Sequence, residues 1–335
     1  MTTISIICPT LNEEKYIEGA IDSFLAQEHS TFEIEILIVD GMSKDRTRGI
    51  VQNFERKFSS VRLLNNANSK TPFAFNIGLS EAKGEFVAIL GAHTHYASDY
   101  LETCYKELLK YQAAGCTGKI ISRAPSTQMQ AKMVEWIMDN PFGVSGSSFR
   151  TMKEGYTHSV NFAVFRKKNL IELGGYDTDM FRNQDNDMNQ RLLDAGNKLY
   201  CTWKTQCYYF TPSTVQKLFL YGFNNGYWNA FSLLTKTRSM RPYHFIPFVF
   251  LMSLFVLMLA GVAEYILFAS FYSTVLLSST IILYLFLSII FTGYSIVKKS
   301  DSRKLLLPVF FFAFHASYGW GTFKGFVHKL IFQRA

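Results

Sequence analysis

Ile4-Ser5-Ile6-Ile7-Cys8-Pro9-Thr10-Leu11-Asn12-Glu13 is a short apolar run that stops at a proline and turns polar. Ile34-Glu35-Ile36-Leu37-Ile38-Val39-Asp40-Gly41-Met42-Ser43-Lys44-Asp45 repeats the plan. Both runs have strand length and β-branched composition. Between them Ile17, Ala20, Ile21, Phe24 and Leu25 recur at i, i+3, i+4, i+7 and i+8, one face of a helix. The order is β-α-β, and it continues. Ile50, Val51, Phe54 and Phe58 mark a second helix, residues 61–64 a third strand, residues 72–82 a third helix opened by Pro72, and residues 86–90 a buried strand. A helix capped by Ser98 and striped by Leu101, Cys104, Tyr105, Leu108 and Leu109 follows. Strands alternating with helices predict an α/β fold with a mostly parallel central sheet covered on both faces. Ligands of such sheets sit beyond the carboxyl ends of the strands, so residues 9–13, 40–45 and 91–95 are expected at one rim.

Composition changes sharply after this region. Of the 335 residues 48% are hydrophobic and 18% charged, yet residues 245–323 carry only Glu264, Lys298, Lys299, Asp301, Arg303 and Lys304 as charges. The net charge of +8 divides into −1 for residues 1–212, +4 for 213–244 and +5 for the remainder. Basicity so placed points to anionic lipid headgroups and away from nucleic acid. Residues 213–244 interleave Leu218, Phe219, Tyr221, Phe223, Tyr227, Trp228 and Phe231 with Lys217, Lys236, Arg238 and Arg241, which suits amphipathic helices in the bilayer interface. Residues 245–268, 272–297 and 305–323 are each about long enough, at roughly 20 residues, to cross a hydrocarbon core. The expected organisation is therefore a head at 1–212, an interfacial collar at 213–244 and a membrane region at 245–335 with two or three spans.

Basic residues before the first span and after the second place the head in the cytoplasm, at the inner membrane of a multi-pass protein. Lys324, Lys329 and Arg334 conflict with a third crossing, so the third segment either re-enters or packs against the others. Five cysteines, Cys8, Cys104, Cys116, Cys201 and Cys207, show no C-x-x-C spacing and are expected as reduced thiols. The opening residues show no signal-peptide pattern.

Two polar clusters can carry chemistry. Asp40-Gly41-Met42-Ser43-Lys44-Asp45 is either an ordinary turn with Ser43 capping the next helix, or a strand-end carboxylate that accepts hydrogen bonds from a ribose or a uracil edge. Gln184-Asp185-Asn186-Asp187 opens a helix continued by Met188, Arg191, Leu192 and Leu193, where an acid either caps the helix or acts on a ligand. Residues 141–148 are Gly- and Ser-rich and read as a loop over the site.

These residues together resemble the family 2 glycosyltransferases, inverting enzymes of GT-A fold. Pro9, Asn12 and Glu13 match the family's P-x-x-N-E, residues 40–45 its D-G-S-x-D or similar, and Asn76, Gly78, Ala82 and Gly84 its N-x-G-x-x-x-A-x-G. The resemblance covers residues 3–210. Ala92-His93, Tyr96, Asp99-Tyr100-Leu101, Phe142-Gly143-Val144, Arg182-Asn183-Gln184-Asp185 and Gly226-Tyr227-Trp228 are most similar to the branch that builds succinoglycan-type exopolysaccharides, which also carries C-terminal membrane segments.

The resemblance implies a nucleotide diphospho-sugar donor, a UDP-sugar foremost. Pro9, Thr10, Asn12, Glu13, Asp40, Gly41, Ser43, Asn76 and Ala92 would lie on its side of the site. It implies a divalent metal held by the motif D-x-D, D-A-H in this branch. Here the motif reads Gly91-Ala92-His93, leaving His93 as the ligand and favouring Mn²⁺ over Mg²⁺, unless His93 and His95 simply line a polar loop. Asp185 matches the family's base, with Gln184 in place of the preceding acid. Arg150, Arg182, Gln184 and Trp228 fall on the acceptor or phosphate side, as would Lys153, Arg166, Lys167 and Lys168.

The Q-x-x-R-W of polymerising members is missing, with Asn224-Asn225-Gly226-Tyr227-Trp228 near its place. Transfer of one sugar to a lipid-linked saccharide is the resulting expectation. A polyprenyl-phosphate sugar synthase and a non-catalytic nucleotide-sugar-binding regulator stand as alternatives.

Overall fold

The computed structural model describes residues 2–144, 148, 150–234, 240–298 and 300–332. The chain divides into two compact units. The first comprises Met1–Arg123 and Met152–Phe210, and the second Ala124–Thr151 and Thr211–Ala335.

In the first unit the expected alternation is present: β1 (Thr2–Thr10), α1 (Ile17–Leu25), β2 (Phe32–Asp40), α2 (Thr47–Lys57), β3 (Val61–Asn65), α3 (Thr71–Glu81) and β4 (Phe86–Ile89). β5 (Thr94–Tyr96), α4 (Tyr100–Lys110) and β6 (Gly115–Arg123) follow. β1 pairs in parallel with β2 and β4, and β2 with β3. Ile4, Ile6, Ile7, Ile36, Leu37, Ile38 and Val39 have no solvent exposure, as strands covered on both faces require. Asp99, and not Ser98, stands at the start of α4; the Ser98 hydroxyl donates instead to Glu28.

The second unit claims the segment after β6. It forms α5 (Met129–Met138) and α6 (Pro141–Val144), so the expected loop at 141–148 begins as a helical turn, while residues 145–147 lie outside the described residues. Phe142 explains why. Its carbonyl accepts from His315 Nε2 at 2.9 Å, and its ring packs on Tyr284, Phe291 and Phe311.

Back in the first unit, β7 (Gly155–Thr157), β8 (Val164–Arg166), α7 (Lys167–Glu172), α8 (Gln184–Asp194) and β9 (Leu199–Phe210) complete one nine-stranded sheet. Its order is β3-β2-β1-β4-β8-β6-β9-β5, with β7 on β9. β8 runs antiparallel to β4 and β6, so the sheet is mixed beyond β4. All five cysteines are buried and free.

The rest of the second unit is helical: α9 (Val215–Leu233), α10 (Ile246–Phe268), α11 (Tyr272–Lys298) and α12 (Leu307–Phe332). Among the described residues two stretches, Pro242–Phe268 and Tyr272–Lys298, are long and apolar enough to cross a membrane. The third hydrophobic segment forms one continuous helix, α12, which lies against α9 with backbones in contact. A Cβ on Gly226 would sit 2.0 Å from the Tyr318 carbonyl, one on Gly321 2.0 Å from that of Phe223, and one on Gly325 2.4 Å from that of Tyr227. Within the expected collar, Val215–Leu233 form one long helix packed on α12. The collar's Lys236 and Arg238, like Lys299 and Arg334, lie outside the described residues.

Candidate active site

The carboxyl ends of β1 and β2 are joined loop to loop. The Asn12 N–H donates to Ser43 Oγ at 2.8 Å, and the Lys44 N–H returns a bond to Asn12 Oδ1 at 2.9 Å. The N–H groups of Glu13 and Glu14 donate to Thr47 Oγ1 and Asp45 Oδ2, and that of Arg46 to Glu14 Oε2. The Gly41 N–H reaches the Thr10 carbonyl at 2.8 Å, and Ser69 Oγ the Gly41 carbonyl at 2.6 Å. Asn12, Met42 and Ser69 adopt φ of 56°, 65° and 55°, the left-handed region that a side chain disfavours. A network of this density over-determines those three conformations, and such strain concentrates at ligand clamps.

Two residues expected on the nucleotide do other work here. Asp40 has no solvent exposure. Its Oδ1 accepts from Ser43 Oγ at 2.5 Å, and its Oδ2 from the Ser43 N–H at 3.0 Å and Arg48 Nη1 at 2.8 Å. Asp40 therefore fixes the β2 loop from within, and Ser43 serves that loop and not a helix cap; α2 begins only at Thr47. Asn76 spends both ends of its amide on one residue, donating to the Tyr176 carbonyl at 2.7 Å and accepting from its N–H at 2.8 Å. That clamp ties α3 to the turn through Gly174 and Gly175, both at positive φ. Pro9, half-buried, is the last residue but one of β1, and Thr10 Oγ1 lies 3.4 Å from Asp40 Oδ1.

Beyond β4 the chain passes through Gly91, buried Ala92 and His93 into β5. The Gly91 N–H donates to the Tyr96 hydroxyl at 2.8 Å, and the His93 carbonyl accepts from the Phe210 N–H. The imidazole of His93, 38% exposed, places Nδ1 3.2 Å from Glu13 Oε1 and packs edge-on to Tyr209.

Asp185 stands in the first turn of α8, entered through Asn183 at φ 64°. It opens on a small pocket walled also by Asn161, Phe162, Tyr176 and Asn189. Burial pushes its carboxyl up to about 6, against the lowering effect of Asn161 Nδ2, which donates to Oδ2 from 3.3 Å. A carboxylate near neutrality beside a pocket has the character of a general base. Asp187, in contrast, is buried and paired with Arg191 at 2.8 Å. Gln184 Oε1 and Asn189 Oδ1 are buried with no hydrogen-bond partner among the described residues.

The model of the family described as "Glycosyl transferase family 2" matches residues 5–174, about half of the chain, from within β1 to Gly174. The chain belongs to glycosyl transferase family 2. It is 31% identical over 336 residues, 98% of each chain, to the dolichyl N-acetyl-alpha-D-glucosaminyl phosphate 3-beta-D-2,3-diacetamido-2,3-dideoxy-beta-D-glucuronosyltransferase of Methanococcus voltae. It is 27% identical to the succinoglycan biosynthesis protein ExoA of Rhizobium meliloti, covering 71% of this chain and 72% of that one. Among solved structures, a mannosyltransferase from Pyrobaculum calidifontis in complex with GDP-mannose and Mn²⁺ superposes with a TM-score of 0.60 at 18% identity, over 95% of this chain and 87% of that one. The protein is a glycosyltransferase with a GT-A-like domain.

A family 2 enzyme's divalent ion can be weighed against the residues present. Among the described residues no group of three or more His, Cys, Asp or Glu is placed to hold a metal. His93, with Nδ1 turned to Glu13, leaves Nε2 as its free donor. One imidazole fits an ion only where diphosphate oxygens complete the shell.

The residues expected on the acceptor or phosphate side divide between the units. Arg150 and Trp228 belong to the second, Trp228 within α9. Arg182 lies half-buried just before α8. Arg166 pairs with Phe86 at the amino end of β4, and Lys167 Nζ donates to the Ala82 carbonyl, so both sit at the opposite edge from the site. Phe162 and Asn161 carry no sequence motif of their own; only the fold brings them to Asp185.

Proposed function

We propose that the enzyme moves one sugar, with inversion, from a nucleotide diphospho-sugar to a lipid-linked saccharide at the cytoplasmic face of the membrane. The functional division is then a catalytic head at 1–212, an interfacial collar at 213–244 and a membrane region at 245–335. The observation that carries this reading is Asp185: a carboxyl raised to about 6, held by Asn161 at the mouth of a pocket. Similarity across 98% of both chains to an enzyme named for a dolichyl-phosphate-linked acceptor supports the choice of acceptor. The two long apolar helices support a membrane setting.

In the transfer, the acceptor hydroxyl attacks the anomeric carbon from the side opposite the diphosphate. Its proton passes to Asp185, and the bond from the anomeric carbon to the diphosphate oxygen breaks with the electron pair leaving on the nucleoside diphosphate. The loops at 9–14 and 40–47 bind and orient the nucleotide. A divalent ion, Mn²⁺ in preference to Mg²⁺, would neutralise the leaving charge. His93 would hold it through Nε2, with Glu13 fixing the imidazole.

Membranes carrying the full chain test the reading when supplied with labelled UDP-, GDP- or dTDP-sugars and a polyprenyl-phosphate-linked sugar. The expected product is that lipid saccharide lengthened by one residue whose anomeric configuration is opposite to the donor's. Transfer to bare polyprenyl phosphate would assign the synthase activity instead. Binding of donor without any transfer would leave the protein a regulator.

A further inference from the structure

Gly91 stands where the branch it resembles has a carboxylate, and the space above it is filled. A Cβ built on Gly91 would lie 2.9 Å from Phe162 Cε1 and 3.4 Å from Thr94 Oγ1. Phe162 is held there against its own backbone preference, at φ 53°. Its carbonyl accepts from the Tyr100 hydroxyl at 2.6 Å, and the preceding carbonyl, of Asn161, from Thr117 Oγ1 at 2.7 Å. Tyr100 has no solvent exposure and Thr117 none, so the buttress is part of the core.

The ring this turn presents is half-exposed and aromatic on its outer flank. It stacks on Tyr209 with centroids 5.8 Å apart and planes at 29°, and Tyr209 meets the imidazole of His93 at 5.2 Å. The same ring lines the pocket that Asp185 opens on. Phe162 thus occupies the interval between the residue read as holding the ion and the residue read as the base. In a transfer of the proposed kind, that interval is where the donor's sugar must lie. A pyranose presents a face of C–H groups to such a ring, and the acetamido methyl of an N-acetylated sugar extends that apolar face.

We propose that Phe162 is the platform for the transferred sugar, a specificity-determining residue that binds the C–H face of a pyranose beside the space a metal-ligating carboxylate would otherwise fill. The inference rests on the donor reading above. Gly91 and Phe162 are complementary: the ring needs a residue without a side chain beneath it. The loss of the carboxylate is then the making of a sugar subsite.

The experiment uses the full chain in detergent and two probes, UDP and UDP-GlcNAc, with affinities measured by calorimetry in the presence of Mn²⁺. Phe162→Leu, which keeps apolar bulk but loses the ring face, is expected to weaken UDP-GlcNAc about 3- to 10-fold. UDP itself should stay within about twofold. Gly91→Ala, which displaces the ring without altering it, should produce the same selective loss, and Phe162→Tyr should keep both affinities. An equal loss for UDP and UDP-GlcNAc in Phe162→Leu, or no loss for either, would overturn the platform. Wild-type protein that binds neither probe would instead overturn the donor reading for UDP-sugars.

Discussion

The rim of the first unit and the α9–α12 pair of the second are both close-fitting, but only the second brings backbones together at glycines. At the rim, side chains are the fasteners: Asn12, Ser43, Asp45, Thr47 and Glu14 bridge two loops, and three residues other than glycine accept left-handed backbones. Between α9 and α12, side-chain bonds such as Asn229 to Tyr318 and Ser317 to the Phe219 carbonyl are present too, but they sit beside backbones brought together by missing side chains. Gly222 and Gly226 on one helix, and Gly321 and Gly325 on the other, are four apart, so each pair lies on one helix face. Bonds at the rim are numerous and redundant, so losing one is a local event. The helix pair has no room for a methyl group, so adding one is felt along its whole length. A site that must adjust to a ligand and an anchor that must not slip call for these different solutions.

The largest effect is expected where the rim does chemistry. Asp185→Asn should lower turnover about 10²- to 10⁴-fold, the range that loss of a general base spans. It should also stabilise the fold, and the sign follows from the raised carboxyl. A group with a folded-state pKa of about 6 against an ordinary 3.8 costs stability when ionised. That cost is complete above about pH 6 and vanishes below about pH 4. The variant is therefore expected to be about 1–3 kcal/mol more stable at pH 7.5 and equal to wild type in acid, as read by thermal unfolding in detergent. A destabilised variant at pH 7.5 would show that the fold stabilises the ionised carboxylate of Asp185, contrary to a pKa raised by burial.

Next in size is the helix pair. Gly226→Ala places a carbon on the Tyr318 carbonyl and should cost about 1–3 kcal/mol or more, lowering the thermal midpoint. Gly49→Ala, in α2, meets nothing within 4 Å and should instead raise it slightly, by about 0.5–1 kcal/mol. The same substitution with opposite signs in the two units tests the contrast directly. Equal and small effects would mean that α9 and α12 are not in backbone contact.

Much of the rim was legible in the sequence because parallel strands carry local signals. Apolar runs ending in Pro9 and Asp40 fixed where the loops would meet. What the sequence withheld was long-range. Asp40 turned inward because Arg48, eight residues on, and Ser43 could satisfy it, and pattern alone does not tell a buried acceptor from an exposed one. Asn76 found Tyr176 a hundred residues away, and residues 141–144 joined the helical unit through His315. The third hydrophobic segment was ambiguous for a physical reason, since glycine-mediated contact between helices removes the large side chains that hydropathy counts. Arg166 and Lys167 were misplaced because β8 runs antiparallel to β4, which reversed the edge they occupy.

The smallest predicted effect asks how finely the rim tunes its base. Among the described residues Asn161 Nδ2 is the side-chain donor that lowers the Asp185 carboxyl, and burial works against it. In Asn161→Leu the charged form loses that bond, so its pKa rises further. A base must be ionised to accept a proton, so the acid limb of the rate profile should move to higher pH, by about 0.5–1 unit. Turnover on the plateau above that limb should fall far less than in Asp185→Asn, because the base itself remains. Asn161 acts through Asp185 and touches no reacting atom in the proposed transfer, which makes it a positioning residue. A merely structural role would lower the plateau and leave the limb near pH 6. A limb that moves to lower pH would mean that the amide opposes ionisation, reversing its assigned orientation.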